Sequence, residues 1–281
     1  MPEPFDRLLA ATADLDTPLA VVDEPALWAN ADDLVRRAAG VPIRVASKSV
    51  RVRSIIERAL ARDGFAGVMS YSLAESNWLA DHGIDDILLA YPTTSASALA
   101  DLVADDRRRA AITVMVDSTE SLDHLDHLLG AGHPAIRVCL DVDSSLKLGP
   151  VHLGVRRSPV HSASDAGPLA EAIAERPGFD LVGLMFYDAQ IAGLPDSSPA
   201  VRLVKKRSAA ELLDRRSKVI AAVSDHAKLE IINAGGTGSL EVTGADPAIT
   251  ELTAGSGLCT PTISKPGYFF CSSARRFGTT F

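Results

Sequence analysis

Eight short runs of β-branched and apolar residues, separated by longer amphipathic stretches, constrain this chain more than any other feature. The runs are residues 43–47, 67–70, 86–90, 112–116, 136–142, 181–187, 229–233 and 249–254. Runs this short, bounded by Gly, Pro, Asp and Ser, suit strands buried on both faces. Between them, residues 54–63, 73–82, 96–105, 118–130, 167–175 and 209–224 carry apolar side chains at three- and four-residue spacing, which predicts helices. Strand alternating with helix builds a parallel sheet, and eight strands close it into an α/β fold of the (β/α)8 TIM-barrel type. Such a barrel takes roughly 250 residues, so a chain of 281 accommodates one. The strand-like run 19–22 stands outside the eight and is expected to belong to a second domain.

Composition narrows the function classes. Apolar residues make up 47% and charged residues 23% of the chain, enough apolar content for a full core and unlike a disordered segment. A formal net charge of −8 argues against nucleic acid, whose binding needs a basic patch to neutralise phosphates. The three cysteines, Cys139, Cys259 and Cys271, are far apart and odd in number, which fits neither a disulfide framework nor a metal knuckle. With no long apolar run and no leader-like start, a cytoplasmic protein without membrane contact is expected.

On this kind of barrel, chemistry sits at the C-terminal ends of the strands and in the loops that follow them. Lys48 follows the first candidate strand, with Arg44, Arg51 and Arg53 close in sequence. Neighbouring cations or desolvation can leave a lysine amine neutral enough to attack a carbonyl carbon. From these residues alone an ordinary strand-end lysine stays equally open. Gly235-Gly236-Thr237-Gly238 follows the seventh strand and Gly255-Ser256-Gly257 the eighth. Loops after strands seven and eight are the usual phosphate site, because glycine lets backbone N–H groups approach one dianion. One such loop is often only a tight turn; two of them facing a strand-one lysine make a more specific set. The loops 143–166 and 188–202 are long and rich in Ser, Pro and Gly, as expected for the catalytic face.

Thr17-Pro18, Lys48, Tyr187 after the sixth strand, the Gly-Gly-Thr-Gly loop and the Ala254-Gly255-Ser256-Gly257-Leu258 loop occur in an order that resembles the alanine racemase N-terminal-type barrel of fold-type III pyridoxal-phosphate (PLP) enzymes. Within it, residues 16–258 look most like the D-threonine aldolase and D-serine dehydratase branch, in particular bacterial amino acid deaminase/aldolase proteins. The resemblance implies that Lys48 bonds PLP covalently and works as an acid or base. It implies that Gly235, Gly236, Thr237, Gly255 and Ser256 bind the phosphate, that Tyr187 lies beside the cofactor and acts in catalysis, and that Gln190 contacts substrate. Without the resemblance Tyr187 reads equally well as a core aromatic.

Two departures stand out. The family's arginine after strand five, near the cofactor ring, aligns with His152, which is therefore expected on the substrate side, with Lys147 and Arg156 as rivals. The partner of the ring nitrogen is left unassigned. Relatives also continue into a C-terminal β domain with a divalent-metal site, manganese or zinc, that helps close the active site, often across a homodimer. Residues 1–258 are thus expected to form the barrel and residues 259–281 a divergent tail, the remnant of a truncated β domain. No metal site is evident: His124 and His127 share a helical face but read better as a solvated pair. The implied activity is a PLP-dependent lyase on D-β-hydroxy-amino acids, by retro-aldol cleavage or by deamination of D-serine or D-threonine, possible impairment by truncation included. The rivals are a non-catalytic PLP carrier and a PLP-free barrel that binds a phosphorylated metabolite.

Overall fold

The computed structural model describes residues 4–16, 19–130, 132–149, 151–193, 198–265 and 268–272. Its strands are β1 Leu19–Val22, β2 Ile43–Ala46, β3 Phe65–Ser70, β4 Ile87–Leu89, β5 Ile112–Val116, β6 Ile136–Asp141, β7 Leu146–Leu148, β8 Val151–Leu153, β9 Phe179–Phe186, β10 Ile231–Ala234, β11 Glu251–Ala254, β12 Thr260–Lys265 and β13 Tyr268–Ser272. Eight of them close a parallel barrel in the order β2-β3-β4-β5-β6-β9-β10-β11, with β11 returning to β2. These are the eight expected runs, with ends moved by one or two residues.

Strands β4 and β5 are buried along their whole length, as a barrel wall covered by helices requires. The helices dock their apolar faces on it through residues such as Leu34, Ile56, Leu79, Leu99, Leu122 and Ile173, all almost fully buried. Each such side chain contributes about 1.5–3 kcal/mol on leaving water. Local sequence sets the helix starts. Asp23 caps Glu24–Ala38 by accepting from the Ala26 amide at 3.2 Å, with Pro25 in the first turn, where no donor is needed. Ser118 caps Thr119–Leu129 through the Ser121 amide at 3.2 Å, and Gly130 ends it at φ 82°.

The loops hold more structure than their composition suggests. Residues 143–166 contain the antiparallel hairpin β7-β8, pairing Lys147 with His152. Residues 188–202 are not one long loop: a short helix spans Ala189–Ala192, and the helix expected from residue 209 starts at Pro199 and runs to Ser224. Ser198 caps it through the Val201 amide at 3.3 Å. Its first turns bury a lysine, Lys205, and a serine, Ser208, so apolar periodicity gives no sign of them. Strand β1 does lie outside the barrel, parallel to β13, which pairs antiparallel with β12. The described part of the expected tail therefore joins the N-terminal strand in one three-stranded sheet. Thr17, Pro18 and residues 273–281 lie outside the described residues.

Candidate active site

The C-terminal ends of the barrel strands surround a cavity of about 170 Å³. Lys48, Tyr187, Gly235, Gly236, Thr237, Gly255 and Ser256 all line it, so seven of the nine expected site residues share one space. Asn233 and Thr253 lie deeper on its wall, both buried.

Lys48 sits in a single helical turn, Ser47–Val50, directly after β2. That turn is pinned from below. Buried Ser47 donates to Glu75 at 3.0 Å, and the same carboxylate oxygen accepts the Tyr71 amide at 3.0 Å. Arg51 ends the turn in the left-handed region, φ 53°, and its Nε donates to the Lys48 carbonyl at 3.1 Å. The Lys48 amine reaches across the mouth and donates to the Tyr91 hydroxyl at 2.8 Å. The arginines near it in sequence are turned elsewhere: Arg44 points into the barrel, and Arg51 and Arg53 lie over the rings of Tyr71 and Trp78 at 4.6 and 5.5 Å.

Opposite the lysine, the two glycine turns are tied together. The Thr237 hydroxyl accepts from the Ser256 hydroxyl and from the Gly257 amide, each at 3.1 Å. Gly236 spends its amide on Ser239 at 3.1 Å, whereas the amides of Thr237 and Ser256 have no protein acceptor among the described residues. Amides left free at two joined turns suit an anion. Gly255 is required by space: a Cβ there would fall 2.6 Å from the Ala46 carbonyl oxygen, on the strand that carries Lys48.

A cation reaches the cavity from a residue the sequence did not single out. Arg157 follows β8, just after Arg156 turns the backbone left-handed at φ 45°. Its guanidinium donates to the Ala90 carbonyl at 2.5 Å and to Asp141 at 3.2 Å, and lies 4.9 Å from the Tyr91 ring and 5.6 Å from the Tyr187 ring. Burial pushes the Asp141 carboxyl up to about 6 against the pull of Arg157. The hydrogen bond from Lys48 draws the Tyr91 phenol below the ordinary tyrosine range, with Arg157 adding to it.

Two expected substrate contacts are placed elsewhere. Gln190 is buried outside the cavity lining, donating to the Ser144 carbonyl at 2.6 Å and to Ser208 at 2.8 Å. It fastens the loop after β6 to the helix Pro199–Ser224. His152 faces Asp143 at 3.1 Å, because pairing across the hairpin aims it back at the loop base, and Arg157 takes the position at the cavity. Of the rivals, Lys147 and Arg156 are exposed and do not line it. Among the described residues no group of three His, Cys, Asp or Glu side chains could hold a metal ion. No helix among them is long and apolar enough to cross a membrane.

The sequence family described as the alanine racemase N-terminal domain matches residues 22–255. Among solved structures, the D-threonine aldolase from Filomicrobium marinum superposes with a TM-score of 0.70 at 26% identity, over 88% of this chain and 63% of that one. The D-threo-3-hydroxyaspartate dehydratase from Delftia sp. HT23 gives a TM-score of 0.65 at 21% identity, over 88% and 62%. The alanine racemase from Corynebacterium glutamicum gives 0.57 at 17%, over 83% and 60%. The chain thus spans less than two thirds of the length of each. At these identities the dehydratase and the racemase speak for the fold alone. No curated protein matches the chain.

Proposed function

This chain belongs to the alanine racemase N-terminal domain family, whose members with this barrel are fold-type III PLP enzymes, and from that premise we propose a PLP-dependent lyase acting on small D-β-hydroxy-amino acids. The observation that carries the proposal is the pairing, in one cavity, of the Lys48 amine with two joined turns bearing free amides. The residues fit the cofactor on chemical grounds. PLP needs an amine for its aldehyde, donors for a phosphate dianion and flat side chains for its ring, and the cavity offers Lys48, the Thr237 and Ser256 amides, and Tyr187 with Arg157. The 26% identity to a D-threonine aldolase supports the lyase reading over racemisation.

When bound, PLP supplies an electron sink for whichever bond to the amino acid's α-carbon is broken. The chain's residues do the rest. Lys48 would hold the cofactor, and its amine is placed to take or return a proton at the α-carbon. Thr237 and Ser256 would grip the phosphate, with Gly235, Gly236 and Gly255 letting the backbone come close. Arg157, held between Asp141 and the Ala90 carbonyl, keeps a positive charge beside Tyr91 and Tyr187 without a flexible side chain having to be ordered at each turnover. Cleavage of the Cα–Cβ bond also needs a base for the β-hydroxyl. The described residues do not fit a metal, so no step is assigned to one.

Incubation of the purified protein with PLP tests the reading. We expect a yellow complex whose borohydride reduction leaves a mass-tagged peptide containing Lys48, absent in Lys48→Ala. With D-threonine, glycine and acetaldehyde would mark the aldolase, and ammonia with a 2-oxo acid the deaminase. A tagged Lys48 with no product from D-threonine, D-serine or D-3-hydroxyaspartate would point to the PLP carrier instead. No tag at Lys48 would sink the cofactor assignment itself.

A further inference from the structure

We propose that Tyr91 is the proton partner of Lys48: its phenol oxygen takes the ammonium proton when the amine must present its lone pair, and returns it when Lys48 must act as an acid. The proposal rests on the reading above only in taking Lys48 as the reacting amine. Its basis is a contact between residues 43 apart in sequence, the 2.8 Å hydrogen bond from Lys48 Nζ to Tyr91 Oη at the mouth of the cavity. Tyr91 is 38% exposed, much for an aromatic ring, yet its position is fixed. Its neighbour Ala90 holds Arg157 through its carbonyl, and the Arg157 guanidinium lies over the ring at 4.9 Å.

Condensation of an amine with an aldehyde forms C=N, breaks C=O, and sends the carbonyl oxygen away as water with two hydrogens of the neutral amine. An ammonium must therefore lose one proton beforehand. At 2.8 Å a phenolate can accept that proton directly. The surrounding charges favour the arrangement. Facing the pair are Arg157 from the loop after β8, backed by Asp141 at the end of β6, Tyr187 after β9 and Tyr71 after β3, while Arg51 at the end of the Lys48 turn lies over the Tyr71 ring. Arg157 stabilises a phenolate at Tyr91, and the carboxylate of Asp141 is engaged with Arg157. Glu75 lies beneath the turn, bound to Ser47 and the Tyr71 amide. A Tyr91 phenolate, held by Arg157, thus stands at hydrogen-bond distance from the amine to take its proton and hand it back.

Two measurements on the protein without added cofactor test this. In the first, phenolate absorbance is titrated in the wild type, Tyr91→Phe and Lys48→Met. One transition should vanish in Tyr91→Phe, and the same transition should move up by about one pH unit or more in Lys48→Met. In the second, Lys48 is methylated with formaldehyde and a mild reductant over a pH series and counted by mass spectrometry. The midpoint for Lys48 should fall by about one unit in Tyr91→Phe, since the phenolate that accepts its proton also holds the ammonium in place, while other lysines keep theirs. Circular dichroism confirms that each variant is folded. Should the phenolate transition ignore Lys48→Met, or the Lys48 midpoint ignore Tyr91→Phe, the partnership is refuted. Formaldehyde needs no phosphate site, so a chain that fails to bind PLP would overturn the proposed function and leave this result readable.

Discussion

The two ends of the barrel treat buried and half-buried charge in opposite ways. At the N-terminal end Arg44 is 1% exposed and spends its guanidinium on Glu251 at 2.6 and 2.7 Å and on Asp86 at 2.8 and 3.0 Å. Burial alone would favour its neutral form, and the two carboxylates keep it charged. Gly67, at φ 71°, is required there because a Cβ would collide with the Arg44 guanidinium. At the C-terminal end, among the described residues, Lys48 donates only to the Tyr91 hydroxyl, two backbone amides lack acceptors, and one oxygen of buried Asp141 has no partner. Saturated polar groups fix a geometry, whereas unsaturated ones are available to something else. The ends are also joined: Glu251 accepts the Asn233 side chain at 2.7 Å, and Asn233 bonds Thr253, so the closed network supports the cavity wall.

The largest effect is expected where saturation is most complete. Arg44→Met would leave Glu251 and Asp86 facing each other across the barrel bottom, and removing one partner of a buried pair costs about 3–5 kcal/mol. Urea unfolding measures it, and a loss below about 1 kcal/mol would erase the contrast between the ends. Asp141 gives a smaller, pH-dependent effect. Its folded value near 6 lies above the ordinary carboxyl, about 4, so the folded state holds the proton more tightly. Stability from this group is therefore complete below about pH 4 and is lost as pH rises through about 6, by on the order of 2–3 kcal/mol. In Asp141→Asn that slope between about pH 4 and 7 should flatten. A wild-type stability curve equally steep in the variant would show that the charge on Asp141 is not strained.

Much of this contrast was legible in the sequence, and the rest was hidden for physical reasons. Barrel strands are buried on both faces, so β4 reads as an unbroken apolar run and β5 as one broken only by Thr113, and the glycine turns announce themselves by composition. Lys48 is marked by its place at the end of the first barrel strand. Arg157 was missed in favour of His152 because position along a loop does not tell which way a hairpin turns its residues, and the left-handed backbone at Arg156 shifts the facing residue. Gln190 sits beside Tyr187 in sequence, but the short helix at Ala189–Ala192 rotates it into the wall. Tyr91 lies next to a proline in what reads as an ordinary loop, and only the closed barrel brings it to Lys48.

The smallest effect on stability should come from the residue with the largest effect on chemistry. Lys48 is exposed, its turn is held by Ser47, Glu75 and the Arg51 cap, and none of these contacts uses its amine. Lys48→Ala should thus change unfolding free energy by no more than about 0.5 kcal/mol, as for surface sites free of buried contacts. It would give up one hydrogen bond to Tyr91, itself open to water that can replace the donor. Chemical denaturation of the two proteins side by side decides it. A loss above about 1.5 kcal/mol would mean that the lysine is part of the scaffold, and the division between a closed end and an open one would have to be redrawn with Lys48 on the closed side.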